Sequence, residues 1–369
     1  MKKLEKINSS VILKLIFSHL EHKRKLNILK YNKYSQQRLN LDIADYKKCS
    51  GRYITYVGNE YDSTDKKLIY IGEYINGERN GKGKEFDKKG NLIFFGKFKN
   101  GKRHGKGREF GDINRRLILH SDGLYYNIGE LIFEGEYKDG KRNGKGKEYH
   151  KSKLIFKGTF KNGKRNGKGE EINDGNTEFE GEYLDGKRTK GKELINGKLK
   201  FEGEYKDDER NGKGKEYYED GGIEFKGEYL KGKRSGKGEE YFAGGGLKFE
   251  GEYLNGKRNG KGKEYMNGSL VNRKSGNKKS YKKSFLKFEG EFVDGLKHGK
   301  GKEYHYDNIL KFEGKYSLDK RNGKGKEYNE FGELIFDGSF RDGEKNGKGK
   351  IYKNNKLFLE VNYKNGEIE

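Results

Sequence analysis

The chain has no proline and no tryptophan among 369 residues, and a single cysteine, Cys49. One thiol excludes an internal disulfide and fits a reducing compartment, so a cytoplasmic setting is expected. No apolar run approaches the eighteen or so residues that span a bilayer. The most apolar stretch, Val11 to Leu20, contains Lys14 and His19, which makes it a poor signal-peptide core and a good amphipathic helix. The first fifty residues also lack glycine, although glycine contributes 58 residues elsewhere.

What is present in quantity is charge and periodicity. Hydrophobic residues make up 30% and charged residues 38%, with a net charge of +25. That balance is near that of disordered chains, but the aromatic residues fall at a fixed phase, which disorder would not require. The segment from Phe133 to Tyr149 recurs with starts at Ile71, Phe94, Phe156, Phe179, Phe201, Phe225, Phe249, Phe288, Phe312 and Phe336. Such a period makes each unit one supersecondary element that buries its apolar face only against its neighbours.

Within the repeat, Phe133, Gly135 and Tyr137 alternate onto one strand face and Glu134, Glu136 and Lys138 onto the other. Asp139-Gly140 is a turn signal and Asn143-Gly144 follows it, with Lys145 to Tyr149 as the return strand. Gly144 and Gly146 lack side chains, so the aromatic rings are expected to lie over that bare backbone. The second reference copy reads Phe225, Gly227, Tyr229, Gly236 and Gly238. Tyr149 has the opposite parity to Gly146, which calls for a bulge or for a tyrosine on the other face. The fold class expected is mainly β: an elongated, twisted, single-layer antiparallel sheet of stacked hairpins, about 110 Å long at about 4.8 Å per strand. Residues 1–50 form a helical cap, with helices starting near Val11, Leu26 and Asp42. Residues 51–369 form the array, with longer inserts near 111–130 and 267–286. The first insert reads as an extra hairpin. The final segment, Leu359 to Glu369, lacks Gly-Lys-Gly and reads as a terminal cap.

These units resemble MORN repeats, whose pattern is approximately Tyr-x-Gly-x-Trp-x-x-Gly-x-x-x-Gly-x-Gly. The matching positions of one copy are Phe225, Gly227, Tyr229, Gly232, Gly236 and Gly238. Eleven clear copies and a twelfth degenerate one cover about 300 residues. The tryptophan of the pattern is always Tyr or Phe here, as at Tyr74, Phe98, Phe160 and Tyr316. The resemblance implies a non-enzymatic scaffold that works through protein contacts, acidic phospholipid or homodimerisation, peripheral to membrane or cytoskeleton. Residues 7–40 share a looser resemblance to an F-box, with Asn8-Ser9-Ser10 in place of the usual leucine-proline opening. That implies the alternative of a ubiquitin-ligase adaptor whose array binds the substrate. A plain helical cap explains the same residues.

No catalytic, cofactor or metal site is expected. No Gly-Lys pair is followed by Ser or Thr as a phosphate loop needs, and no histidine or cysteine spacing suits zinc. The Glu-x-Glu steps are explained by cross-strand ion pairs. A ridge of cations along the hairpin loops is the candidate anionic-surface site: Lys141, Arg142, Lys164, Arg165, Lys257 and Arg258. The second insert adds Arg273, Lys274, Lys278, Lys279, Lys282 and Lys283, as a solvated loop or an anion-binding arm. Lysine that merely keeps an exposed sheet soluble explains the ridge equally. Nucleic acid is a poor candidate partner, because the aromatic rings are committed to the core.

Overall fold

A computed structural model describes residues 10–20, 37, 52–54, 58–75, 77–112, 116–119, 125–268, 270–271, 281–282 and 284–369. The expected helices beyond Leu20 lie outside these residues. The first expected helix is present, from Ser10 to His19. The chain divides into two compact units: residues 1–177 with 183–186, and residues 178–182 with 187–369.

The first unit is built from hairpins Leu68–Ile75/Glu78–Phe86, Asn91–Lys99/Lys102–Phe110, Leu131–Lys138/Lys141–His150 and Lys153–Lys161/Lys164–Asn173. Each pairs antiparallel with the next, so the sheet stays open. The first insert adds no rung. Lys102–Phe110 pairs directly with Leu131–Lys138, and the insert's own hairpin, Arg116–Leu119 with Tyr125–Ile128, stands aside. Its second strand runs parallel to Asn91-Leu92, beside a small cluster of Phe86 and Leu92 flanked by Leu68, Ile71, Phe110 and Ile128.

The second unit repeats the plan. Its complete hairpins run from Lys198–Lys206/Glu209–Tyr217 to Leu334–Arg341/Glu344–Lys353, followed by Lys356–Lys364 and the short Glu367–Ile368. The second insert is also bypassed, since Lys257–Met266 pairs directly with Phe285–Val293. Of that insert, Leu270–Val271 and Tyr281–Lys282 form a separate two-stranded pair.

Three expectations change in detail. The first repeat begins at Tyr70, not Ile71: Tyr70 is fully buried opposite Glu85, as Phe94 is opposite Glu109. A one-residue slip exchanges the faces of a strand, and Ile71 belongs to the cluster on the other face. Second, Asn143-Gly144 is not a turn. The return strand runs from Lys141 to His150, and the pairing jumps from Arg142↔Tyr137 to Gly146↔Gly135. Three residues on one strand therefore oppose one on the other, a bulge that Gly144 permits with φ at +102°. The turn itself is Asp139-Gly140, both at positive φ as a type I′ hairpin requires.

Third, Gly144 does not lie under a ring. A Cβ there would meet the Glu136 side chain, which accepts a hydrogen bond from the Lys145 N–H at 3.2 Å. The glycines beneath the ring are Gly135 and Gly146; a Cβ on Gly135 would lie 2.7 Å from Phe133 Cζ and 2.6 Å from Gly146 Cα. Gly227 and Gly238 hold the same place under Phe225, and Gly236 matches Gly144. Both readings of Tyr149 hold together. The register shifts between Glu148 and Tyr149, and the equivalent tyrosines turn to the opposite face. There Tyr265 donates to Glu250 at 2.7 Å and Tyr304 to Glu289 at 2.6 Å.

Candidate binding surfaces

The core is a zigzag of rings one layer thick. Phe133 meets Tyr137 of its own strand at 5.5 Å and Phe160 of the next hairpin at 5.0 Å, both edge-on. In the second unit Phe225 meets Tyr229 at 5.6 Å and Tyr253 at 5.1 Å. Edge-to-face packing places a positive ring edge on a negative face, and glycine lets the rings descend onto the backbone.

Over each ring lies a cation. Arg142 caps Phe133 at 4.2 Å, Arg165 caps Phe156 at 4.1 Å and Arg258 caps Phe249 at 4.2 Å. Lys297 and Lys345 take that place over Phe288 and Phe336. Arg79, Arg103, Arg142, Arg165, Arg210, Arg258 and Arg321 each bridge two carboxylates, one from the same return strand and one from the preceding return strand, whereas Arg234 joins Glu216 to Glu224. Arg142 reaches Glu148 at 3.0 Å and Glu109 at 2.5 Å, and Arg165 then reaches Glu148 at 2.8 Å. Arg258 likewise joins Glu240 at 2.7 Å to Glu264 at 3.6 Å. The ring face thus carries its own counter-charge. Burial works against the Glu240 carboxylate, but Arg258 and Tyr253 hold its pKa below the ordinary glutamate range.

The predicted ridge therefore divides. Arg142, Arg165 and Arg258 are part of the packing. Lys141, Lys164 and Lys257 are exposed, and Lys257 stands 3.6 Å from Asp294. Arg273, Lys274, Lys278, Lys279 and Lys283 lie outside the described residues, as does the Lys282 side chain. A signal for the arginines was present in the sequence. The position five residues after the second aromatic is a cation in all eleven clear copies, whereas its neighbour varies among Glu78, Lys102, Glu209 and Leu296.

A further half-repeat precedes the first copy. Glu60 is buried, accepting from Tyr74 Oη and from Arg79 Nε, both at 3.0 Å. It stands to Tyr70 as Glu148 stands to Phe156. Gly58-Asn59-Glu60-Tyr61 is the matching signal, a match to Gly146-Lys147-Glu148-Tyr149.

The opposite face presents the lysine of each Gly-Lys-Gly step. Lys82, Lys106, Lys145 and Lys168 in the first unit are exposed, as are Lys213, Lys237, Lys261, Lys300, Lys324 and Lys348 in the second. Their neighbours Lys215 and Lys263 are instead paired across the strands with Glu202 at 2.9 Å and Glu250 at 3.7 Å.

The MORN repeat family matches ten stretches: residues 70–92, 94–112, 133–153, 156–177, 201–223, 225–247, 249–270, 288–308, 312–329 and 336–356. The chain belongs to the MORN repeat family. The copy beginning at Phe179 falls outside those stretches. It is one residue short, with Thr189-Lys190-Gly191 replacing Asn-Gly-Lys-Gly, yet Phe179 is fully buried beneath Arg188 at 4.3 Å. No curated protein matches the chain. Among solved structures, TcdB2-TccC3 is 10% identical with a TM-score of 0.12, covering 83% of this MORN protein. The Tc holotoxin pore of Photorhabdus luminescens is 12% identical with the same TM-score, covering 85%. This chain spans 21% and 18% of those two chains, and likeness at that level carries no argument about fold or function.

Proposed function

We propose that this MORN protein is a non-enzymatic scaffold that binds protein partners and does so at acidic membrane surfaces. One observation carries the reading: each Gly-Lys-Gly step sets an exposed ammonium on the face opposite the rings, while the ring-face cations are consumed by glutamate. Near an anionic leaflet each such lysine contributes about 1 kcal/mol, falling off within a Debye length. The shifted ionisable groups support a structural role. They recur with the repeat, as at Glu193, Glu240 and Glu303, each held by an arginine. No helix among the described residues is long and apolar enough to cross a membrane, so the contact would be peripheral. Flotation with phosphatidylcholine vesicles, with and without phosphatidylserine, at low and high salt, tests the membrane part. Flotation only with the anionic vesicles, lost at high salt, is expected; flotation insensitive to salt or lipid charge would remove it.

A further inference from the structure

Three consecutive hairpins of the first unit place lysine directly opposite lysine at their tips. The pairs are Lys99↔Lys102, Lys138↔Lys141 and Lys161↔Lys164. All six side chains are exposed. The tips are tied together, because the Gly140 N–H donates to the Arg103 carbonyl and the Gly163 N–H to the Arg142 carbonyl, both at 2.9 Å. The six ammonium groups thus stand on adjacent strands, in a row spanning about 24 Å at about 4.8 Å per strand. The turns between them are Asn100-Gly101, Asp139-Gly140 and Asn162-Gly163, so one carboxylate faces six cations. Like charges directly opposite each other on a sheet are destabilising.

At the equivalent tip the other repeat hairpins avoid this, and the one further lysine pair across a two-residue turn, Lys353↔Lys356, joins one hairpin to the next strand at the opposite edge. The same register position pairs Ile75 with Glu78 at the start of the first unit. In the second unit it pairs Lys206 with Glu209, Leu230 with Lys233, Val293 with Leu296 and Arg341 with Glu344. The lysine row is therefore local and not a consequence of the repeat. It also borders a recess of about 690 Å³ between two tips, lined by Lys138, Lys141 and Lys161, the amides of Asn143, Asn162 and Asn166, the single carboxylate of Asp139, and Phe160.

We infer that this row is a docking site for an extended acidic stretch of a partner polypeptide. The inference rests on the scaffold reading above and names one place where it acts. An extended chain advances about 3.4 Å per residue, so about seven residues span the row, with a carboxylate every second residue about 6.8 Å apart. Three ammonium and three side-chain amide groups line the recess against one carboxylate, Asp139, and both kinds of donor pair with carboxylates. A recess admits a side chain where a flat leaflet cannot enter. Stacking of nucleobases would need exposed rings, and Phe160 is buried.

The test is fluorescence anisotropy of a labelled peptide of alternating Glu and Ser, with a Gln-Ser peptide as control, against the full chain at low salt. The variant Lys102→Gln/Lys138→Gln/Lys161→Gln should bind the acidic peptide at least about tenfold more weakly. A matched variant in the second unit, Lys233→Gln/Lys257→Gln/Lys320→Gln, should bind within about twofold of the native chain. Melting checks the fold: neutralising the row should leave Tm unchanged or raise it, since like-charge pairs are removed. The inference is overturned if the native chain does not bind the acidic peptide, if both variants weaken it equally, or if anionic vesicles or single-stranded RNA bind and the peptide fails to displace them. Salt-sensitive flotation that survives in the first variant while the peptide does not bind would leave the scaffold reading standing and remove this site alone.

Discussion

Phe225→Ala is expected to destabilise its neighbourhood by about 3–5 kcal/mol, the largest effect of any single side-chain truncation in the array. The ring is fully buried, edge-on to Tyr229 and Tyr253, with Arg234 over it at 4.3 Å. Alanine would remove the ring, open a cavity above Gly227 and Gly238, and leave Arg234 without its support. In a repeat protein such a loss is felt by the mutated rung and its neighbours before it reaches the ends. Hydrogen exchange of Ile223–Leu230, Lys233–Tyr241 and Leu247–Leu254 should therefore accelerate sharply, while Leu334–Arg341 stays protected. Tyr229→Phe gives the contrast. The Tyr229 hydroxyl is buried facing the Glu216 carboxylate but makes no hydrogen bond of ordinary geometry, and Phe98, Phe160, Phe292 and Phe340 already fill that position elsewhere. Its removal should cost almost nothing.

The second large effect is with pH. Burial, and next to it a facing carboxylate, pushes the ring-face tyrosines far above the usual phenol range: Tyr229 beside Glu216, Tyr253 beside Glu240, Tyr316 beside Glu303. On the other face Tyr241 and Tyr328 are pushed up to about 12. A folded-state pKa above the unfolded one means stability that is intact below about pH 10 and is lost as pH rises toward the folded values. Each phenol kept protonated by the fold weakens it by about 1.4 kcal/mol per unit above that point, and many act together. The acid side has the opposite sign. Glu193, Glu240 and Glu303 are buried, which opposes ionisation, but Arg210, Arg258 and Arg321 hold them below the ordinary value. Their contribution is present above about pH 4.3 and is lost as pH falls through the folded pKa. Circular dichroism against pH should show a plateau between about pH 5 and 9 and a cooperative alkaline collapse. Phenolate absorbance should rise with that collapse and not before it; a gradual titration near pH 10 with the fold intact would contradict the packing described.

Period and parity were enough to read the hairpins, the single-layer sheet and the fully buried aromatics, because alternation assigns Phe133 and Tyr137 to one face without reference to anything distant. The role of Arg142 is not legible without the turn position, since a cation next to a turn looks solvent-exposed until the pairing is known. With the turn at Asp139-Gly140, Arg142 stands directly opposite Tyr137 and so on the ring side of the sheet. Glycine was read as a class, and the division of labour within it was not. Gly135 and Gly146 make room for a ring, whereas Gly144 supplies a backbone angle and a place for Glu136. The row of six tip lysines needed the pairing register. Lys102 and Lys138 are separated in sequence by an insert that leaves their strands adjacent.

The chain contains a comparison bearing on its own packing rule. On the last long strand the ring position is Leu359 and the glycine position is Val361, which pairs with Gly349. Where the ring is gone, the bare backbone is gone as well. A double-mutant cycle at a central rung tests whether one causes the other. Gly238→Ala places a Cβ in the space of the Phe225 ring and should cost about 1–3 kcal/mol in the native background. In a Phe225→Ala background the same change should cost close to nothing, giving a coupling comparable to the whole single-mutant effect. An equal cost in both backgrounds would show that glycine is there for the strand alone, and that the rings do not hold the sheet together through it.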